Sequence, residues 1–221
     1  MKTANLIADA DGKPGIRQPQ QVRSRASFER MLEAAEALLI ERGSDEFALT
    51  DVSRIGRVSI GSIYNRFNSK DELIHVVHGR VMERLETEQA KIVMRARSRS
   101  NSLDGLVRAC IDELAEFLRK NAPIMRPLML RAAFDRDVQD RGRDSHDLMV
   151  ESLTTELMSH ETQIGHPDPT RAIHSIIRIA YAAFARELGF GMAEAPQGGA
   201  PWEELKEDVG SMAAAFLLTA R

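Results

Sequence analysis

Between Ser59 and Arg66 the chain places Ser59, Gly61, Ser62, Tyr64, Asn65 and Arg66, while Val58, Ile63 and Phe67 interrupt or flank them. Ile63 and Phe67 are four apart, so a helix here buries an apolar stripe and turns hydroxyl, amide and guanidinium groups outward. Those donors, beside a glycine that lets another backbone come close, suit hydrogen bonding to phosphates and base edges. Just upstream, Thr50 as N-cap followed by Val52 and Ile55 signals another short helix ending near Gly56. Two short helices separated by a tight turn have helix-turn-helix spacing, in which the second helix enters the major groove, roughly 12 Å wide. The candidate DNA contacts are then Thr50, Arg57, Ser59, Ile60, Gly61, Ser62, Tyr64, Asn65 and Arg66. Arg25, just before the first helix, is placed to reach an adjacent groove or backbone. Lys70 opens a helix, where the dipole disfavours a cation, and a phosphate nearby would account for it.

Other chemistries find little support. Glu72, His75 and His78 are three apart and could share a helical face, but that spacing is equally that of a solvated face. His-Glu-x-x-His, Gly-x-Ser-x-Gly and a phosphate loop are all absent, so no catalytic centre, metal or cofactor is expected. Cys110, the single cysteine, sits in an apolar stripe and reads as inert core, although that stripe also borders the candidate pocket. Methionines adapt to varied apolar shapes. Met125, Met129 and Met149, with Cys110, His174, Arg178 and Tyr181, are the candidate lining of a pocket for a hydrophobic, even weakly acidic, small molecule.

The elements that must position these residues read as helices throughout. Residues 1–22 carry Gly12, Pro14, Gly15 and Pro19 and are expected to be a flexible tail; residues 23–69 form the helix-turn-helix unit and residues 70–221 the ligand and dimer unit. Phe28, Leu32, Ala35 and Leu39 mark a first helix ended by Gly43. Ser69 to Glu72 form a capping box that starts the fourth, whose stripe Leu73, Val77, Val81 and Leu85 runs toward the 90s. Leu103 to Phe117 predict a fifth helix ended by Asn121 and Pro123, Met125 to Phe134 a sixth, and Leu148 to Leu157 belong to a seventh. Asp168-Pro169 opens an eighth, apolar nearly all round, and a loop over 189–201 leads to a ninth with Trp202, Val209, Met212 and Phe216. A helix buried on two sides suggests a second subunit, and Ile176, Ile177, Ala180, Phe184, Met212 and Phe216 are its candidate contacts. The fold class is all-α: a three-helix DNA-binding domain and a C-terminal bundle, about nine helices in total.

Composition agrees with a helical, non-membrane protein: 43% of the 221 residues are apolar, 29% charged and 5% aromatic. No apolar run approaches the roughly 18 residues of a membrane span and the N-terminus is too polar for a signal peptide, so a cytoplasmic protein is expected. The net charge of −3 argues against nucleic acid until it is resolved by position. Residues 1–100 hold 17 Lys+Arg against 14 Asp+Glu, and residues 101–221 hold 13 against 19.

The stretch Leu49 to Leu73, with Val58-Ser59-x-Gly61-Ser62-Ile63-Tyr64-x-x-Phe67-x-Ser69-Lys70 at its centre, resembles the DNA-binding signature of the TetR family of bacterial transcriptional regulators. The resemblance covers roughly Arg25 to Val81. It implies an all-helical homodimer, usually a repressor, that binds a palindromic operator and is released by a small-molecule effector held in the C-terminal domain. The chain departs from the pattern twice. Arg57 stands where the family usually has the turn glycine, with Gly56 one place earlier, and Ile60 stands where a lysine is common, which removes one phosphate contact. The competing reading is a helical small-molecule carrier or enzyme that keeps a helix-turn-helix for packing only.

Overall fold

The computed structural model describes residues 17–192 and 201–219, which form nine α-helices, one short 3-10 turn and no strand. The head consists of α1 (Arg17–Arg42), α2 (Leu49–Gly56) and α3 (Ile60–Tyr64). The body consists of α4 (Lys70–Gln89), α5 (Ile92–Arg99), α6 (Leu103–Arg131), α7 (Arg136–Met158), α8 (Pro169–Glu187) and α9 (Trp202–Leu218). Helix α1 starts at Arg17, inside the stretch expected as a tail; residues 1–16, and residues 193–200 of the expected loop, lie outside the described residues.

Three boundaries differ from the sequence reading. Ala48, not Thr50, is the N-cap of α2, because the Asp51 carboxylate accepts from the Ala48 amide at 3.1 Å. The stripe from Leu73 does not run on unbroken: α4 ends at Gln89 and a separate α5 follows, tied down by Arg95 to Glu113 (2.6 Å) and Arg97 to Glu156 (2.5 Å). Third, the expected fifth and sixth helices are one helix, α6, with Pro123 and Pro127 inside it. A proline in a helix interior costs about 3 kcal/mol through its missing amide and ring clash. Leu118, Ala122, Ile124 and Leu128 are buried on both sides of those prolines, and this packing carries the helix through. Helix α6 is the axis of the body, packing against α5, α7, α8 and α9 and also touching α1 and α4.

The turn of the head is built by an unusual division of labour. Gly56 has no left-handed backbone; a Cβ there would come within 2.9 Å of the Arg30 carbonyl and 3.3 Å of the Ala34 Cβ, so its missing side chain lets α2 lie against α1. Arg30 Nε donates to the Gly56 carbonyl at 3.1 Å across that contact. The left-handed residue is Arg57, with φ of 50°. Its neighbour Val58 returns an amide to the Ser53 carbonyl at 3.1 Å, and the Ser53 hydroxyl donates to the Val58 carbonyl at 2.6 Å. Phe67 stacks on Phe28 with ring centroids 5.9 Å apart and, with Leu39, Val52 and Ile63, closes a core that fixes α3 on the other two helices.

These two adjacent positions should respond oppositely. Gly56→Ala should lower unfolding stability by about 1–3 kcal/mol through overpacking, whereas Arg57→Gly should leave it unchanged or raise it by up to about 1 kcal/mol by relieving the left-handed backbone. Urea unfolding followed by circular dichroism measures both, and a loss at Arg57→Gly equal to that at Gly56→Ala would contradict this account of the turn.

Candidate nucleic-acid interface and the cavity behind it

Helix α3 is short and shows most of its polar residues to solvent. Tyr64 is 60% exposed, and Arg25, Thr50, Arg57, Ser59, Gly61, Asn65 and Arg66 are exposed as well. Ile60 and Ser62 are half-buried, with Ile60 packed against the head core, so its methyl groups are only partly available outside. Ser59 caps α3 as expected, accepting from the Ser62 amide at 3.1 Å, and its hydroxyl lies 2.7 Å from that of Ser62. A Cβ added at Gly61 would meet nothing within 4 Å, so the glycine serves no close contact inside the chain and leaves the helix surface flat.

Two of the sequence candidates have work within the protein. Arg66 donates to the Ser24 carbonyl at 2.9 Å and to its hydroxyl at 2.5 Å, with its guanidinium 5.2 Å from the Phe28 ring centroid. It therefore anchors the end of the motif to α1. Lys70 donates to the Asp45 carbonyl at 2.7 Å and lies over Phe47, holding the link between α1 and α2. This contact supplies the reason for a cation at the start of α4 that sequence reasoning assigned to a phosphate. The capping box at Ser69 is also displaced: Ser69 accepts from the Glu72 amide, but Glu72 reaches back to the Asn68 amide at 2.7 Å.

A buried guanidinium lies at the junction of head and body. Arg131, at the end of α6 with 7% of its side chain exposed, pairs with Asp45 of the head link, with Asp71 of α4 at 2.8 Å and with Asp135 at 2.7 Å. His75 adds a hydrogen bond to Asp135 at 2.8 Å. Burial works against the Asp135 charge, but the hydrogen bonds from His75, Arg131 and the Val138 amide outweigh it and hold the carboxyl at about 2. Candidate metal-ligand atoms of His75, Asp135 and Asp137 lie within 4.8 Å of one another, with Asp135 already engaged by Arg131. Glu72, His75 and His78, which could have shared a face, turn to three different partners: Asn68, Asp135 and a cavity.

That cavity, of about 350 Å³, lies between α4, α6, α7 and α8. Met125, Met129, Met149 and Tyr181 line it as expected from the sequence. Cys110, His174 and Arg178 do not: Cys110 is buried elsewhere in the core, its thiol pushed up to about 12 by burial, and His174 and Arg178 stand on the exposed face of α8. The sequence reading missed His78, Gln89 and Ser145, all buried and all on the lining. His78 was visible only as one of two histidines on an amphipathic helix, and its position one turn from Met82 and two turns from Leu85 was the available signal. Burial first, and then the charges of His75 and Arg141, push its imidazole down to about 4, so it is neutral near pH 7.

The dimer candidates also need correction. Ile176, Ile177, Ala180 and Phe184 are at most 5% exposed and belong to the core of the single chain, packed where α8 meets its neighbours. Phe216 is half-buried, and only Met212, 61% exposed, stands free on the surface. The apolar residue that makes α8 hydrophobic on its outer side is Ile179, 62% exposed. An all-round apolar pattern cannot by itself say which side faces a chain's own core.

Residues 31–77 match the family described as bacterial regulatory proteins, tetR family. An uncharacterized HTH-type transcriptional regulator of Bacillus subtilis, YwcC, is 35% identical over 65 residues, which is 29% of this chain and 29% of that protein. The similarity to that relative thus spans less than a third of its length. Among solved structures, a TetR transcription regulator from Haloarcula marismortui aligns with a TM-score of 0.65 at 16% identity, over 88% of this chain and 100% of that one. The TetR-family regulator PfmR of Thermus thermophilus aligns with a TM-score of 0.56 at 15% identity, over 85% and 97%. At such identities the likeness is one of fold. Among the described residues no helix is long and apolar enough to cross a membrane.

His78 sets a pH dependence of stability. Its folded pKa lies below the ordinary 6.5, so the unfolded chain binds the proton more readily and stability falls as pH drops from about 6.5 toward 4. The loss should reach at most about 3.5 kcal/mol, since each pKa unit between 6.5 and about 4 is worth about 1.4 kcal/mol. His78→Gln should flatten the melting temperature over that range, and an unchanged slope in the variant would contradict the buried neutral imidazole.

Proposed function

We propose that this chain, whose N-terminal domain is that of the TetR family of bacterial regulatory proteins, is a ligand-responsive transcriptional repressor of the cytoplasm that binds a palindromic operator as a homodimer. The observation that carries the reading is the outer face of α3: Tyr64, Asn65 and Gly61 stand exposed on a short helix held rigidly by the Phe28, Ile63 and Phe67 core. Tyr64, Asn65, Ser59 and Ser62 supply hydrogen bonds, Arg25, Thr50 and Arg57 flank them, and Gly61 lets the helix lie close to the sugar-phosphate chain. Arg66 and Lys70 keep these groups in place from behind.

The surface of α8 and α9 supports the dimer. Ile179, Met212 and Leu218 are exposed apolar residues on the outer sides of these helices. Arg171, Arg178 and Arg186 flank them on α8, and Glu204 and Asp208 on α9. A twofold axis that sets α8 of one protomer against α9 of the other covers the apolar groups and brings opposite charges together. The cavity between α4, α6, α7 and α8 is the effector site. Its floor on α4 is continuous with the helix that carries the head, and its wall at Leu128, Met129 and Ala132 is the turn of α6 that bears Arg131. A ligand that favours another placement of that turn changes how the head is held, and operator affinity changes by the same factor as ligand affinity.

Selection from a random DNA duplex pool tests the reading. Inverted repeats with half-sites about one helical turn apart are expected, and no enrichment would favour the carrier or enzyme that keeps its helix-turn-helix for packing. On the selected operator Tyr64→Ala should weaken binding about tenfold or more at fixed salt, and Arg57→Ala should reduce the salt slope by about one. Ile179→Glu with Met212→Glu should give a monomer by light scattering; a persistent dimer would place the interface elsewhere.

A further inference from the structure

The cavity wall is apolar where α6 and α7 meet α4, and Met82, Leu85, Phe117, Met125, Leu128 and Met149 make most of it. Among the described residues no aspartate or glutamate lines it. Of its buried polar groups, Gln89 and Ser145 satisfy each other, the Gln89 amide donating to the Ser145 carbonyl at 3.0 Å. His78 is different. It is only 5% exposed, it faces the cavity, and neither ring nitrogen has a hydrogen-bond partner among the described residues. A buried polar group left unpaired costs about 1–3 kcal/mol, so this imidazole is suited to receive a ligand's polar end.

The charges around that imidazole set the sign of the end it takes. His75 stands one turn below on α4, Arg131 approaches from α6, and Arg141 from α7, where it is paired with Glu86. Asp135 is the opposing acid, already held by Arg131 and His75. From the cavity side come Arg143 of α7, paired with Asp140 at 3.3 Å, His146 of α7, which burial holds toward the neutral form against the charge of Asp147, and the Tyr181 hydroxyl of α8. A cationic ligand would find no carboxylate on the described lining to receive it, and a buried unpaired charge is costly.

We infer that the cavity selects an apolar monocarboxylic acid, with its carboxylate seated on His78 and its hydrocarbon among the methionines. The bound complex holds one proton more than the free protein and the free anion, taken from solvent and shared between the imidazole nitrogen and the carboxylate oxygen, so no uncompensated charge is buried. The volume, roughly twice the ~150 Å³ in which benzene is accommodated, suits a medium-length chain or a small ring system. The inference rests on the reading of this cavity as the effector site and adds the class of ligand.

Calorimetry on the full chain with three probes of one chain length, decanoate, decan-1-ol and decyltrimethylammonium, tests it. Decanoate should bind best, weaken about tenfold per pH unit from pH 6 to 8, and take up close to one proton when titrated in buffers of different ionisation heat. His78→Gln, which keeps a hydrogen bond but cannot take the proton, should abolish the uptake and the pH dependence and spare decan-1-ol. The wild-type proton count tests the uptake even if the variant folds poorly, and its loss in His78→Gln assigns the proton to the imidazole. Equal or tighter binding of the alcohol or the ammonium, binding of decanoate without proton uptake, or binding of none of the three overturns the inference. If the alcohol or the ammonium releases the operator, the effector reading stands without the acid. If decanoate binds with its proton yet leaves operator affinity unchanged, the acid site stands and the effector reading fails.

Discussion

Arg131 is buried at the end of the longest helix, and a guanidinium so placed is tolerated only while carboxylates meet it from every side. Those carboxylates come from the head link, from the start of α4 and from the cap of α7, so pairing one side chain fixes the relation of three elements at once. Lys70 reinforces the arrangement by holding the backbone of the same Asp45 whose carboxylate Arg131 binds. Further out, Arg80 to Glu29 and Arg84 to Glu36, each 2.8 Å, tie α4 to α1, but these pairs are partly exposed and so contribute little.

The placement of the cavity follows from the same junction. Leu128, Met129 and Ala132 flank Arg131 along α6, Val138 stands near Asp135 on α7, and His78 lies one turn beyond His75 on α4. The same turns therefore present apolar or neutral groups to the cavity and charged groups to the head. On the proposed function, a ligand would need no long path to be felt at α3. It has only to favour a different spacing of turns whose other faces already hold Asp45 and Asp71. On the proposed function, the packing of α3 on Phe28 and Phe67 would carry such a change to the exposed Tyr64.

Much of this was legible in the chain. The periodicity of Ile63 and Phe67, the caps at Ser59, Ser69 and Asp168 and the spacing of the two short helices gave the head and the all-helical class. What was not legible depended on tertiary context. Pro123 read as a break because its local cost is real, and the packing that overrides it belongs to helices distant in sequence. Lys70 read as a phosphate ligand and Arg66 as a DNA contact on their charge alone, because a sequence conceals internal partners such as Asp45 and Ser24, 25 and 42 positions away. Gly56 and Arg57 looked like a displaced turn glycine, whereas the glycine serves the approach of α1 and the arginine bears the left-handed turn. The pocket was half seen: methionines announce adaptable walls, but only the folded chain tells a buried His78 from an exposed His174.

The most direct measurement is the operator dissociation constant with and without a saturating cavity ligand, for the parent and for Asp45→Asn, which keeps the size of the side chain and removes the charge that binds the head link to Arg131. The account predicts that the ligand weakens operator binding in the parent and that the ratio shrinks toward one in the variant while ligand affinity for the DNA-free protein is retained. An equal ratio in both proteins would contradict a head held, and released, through Arg131.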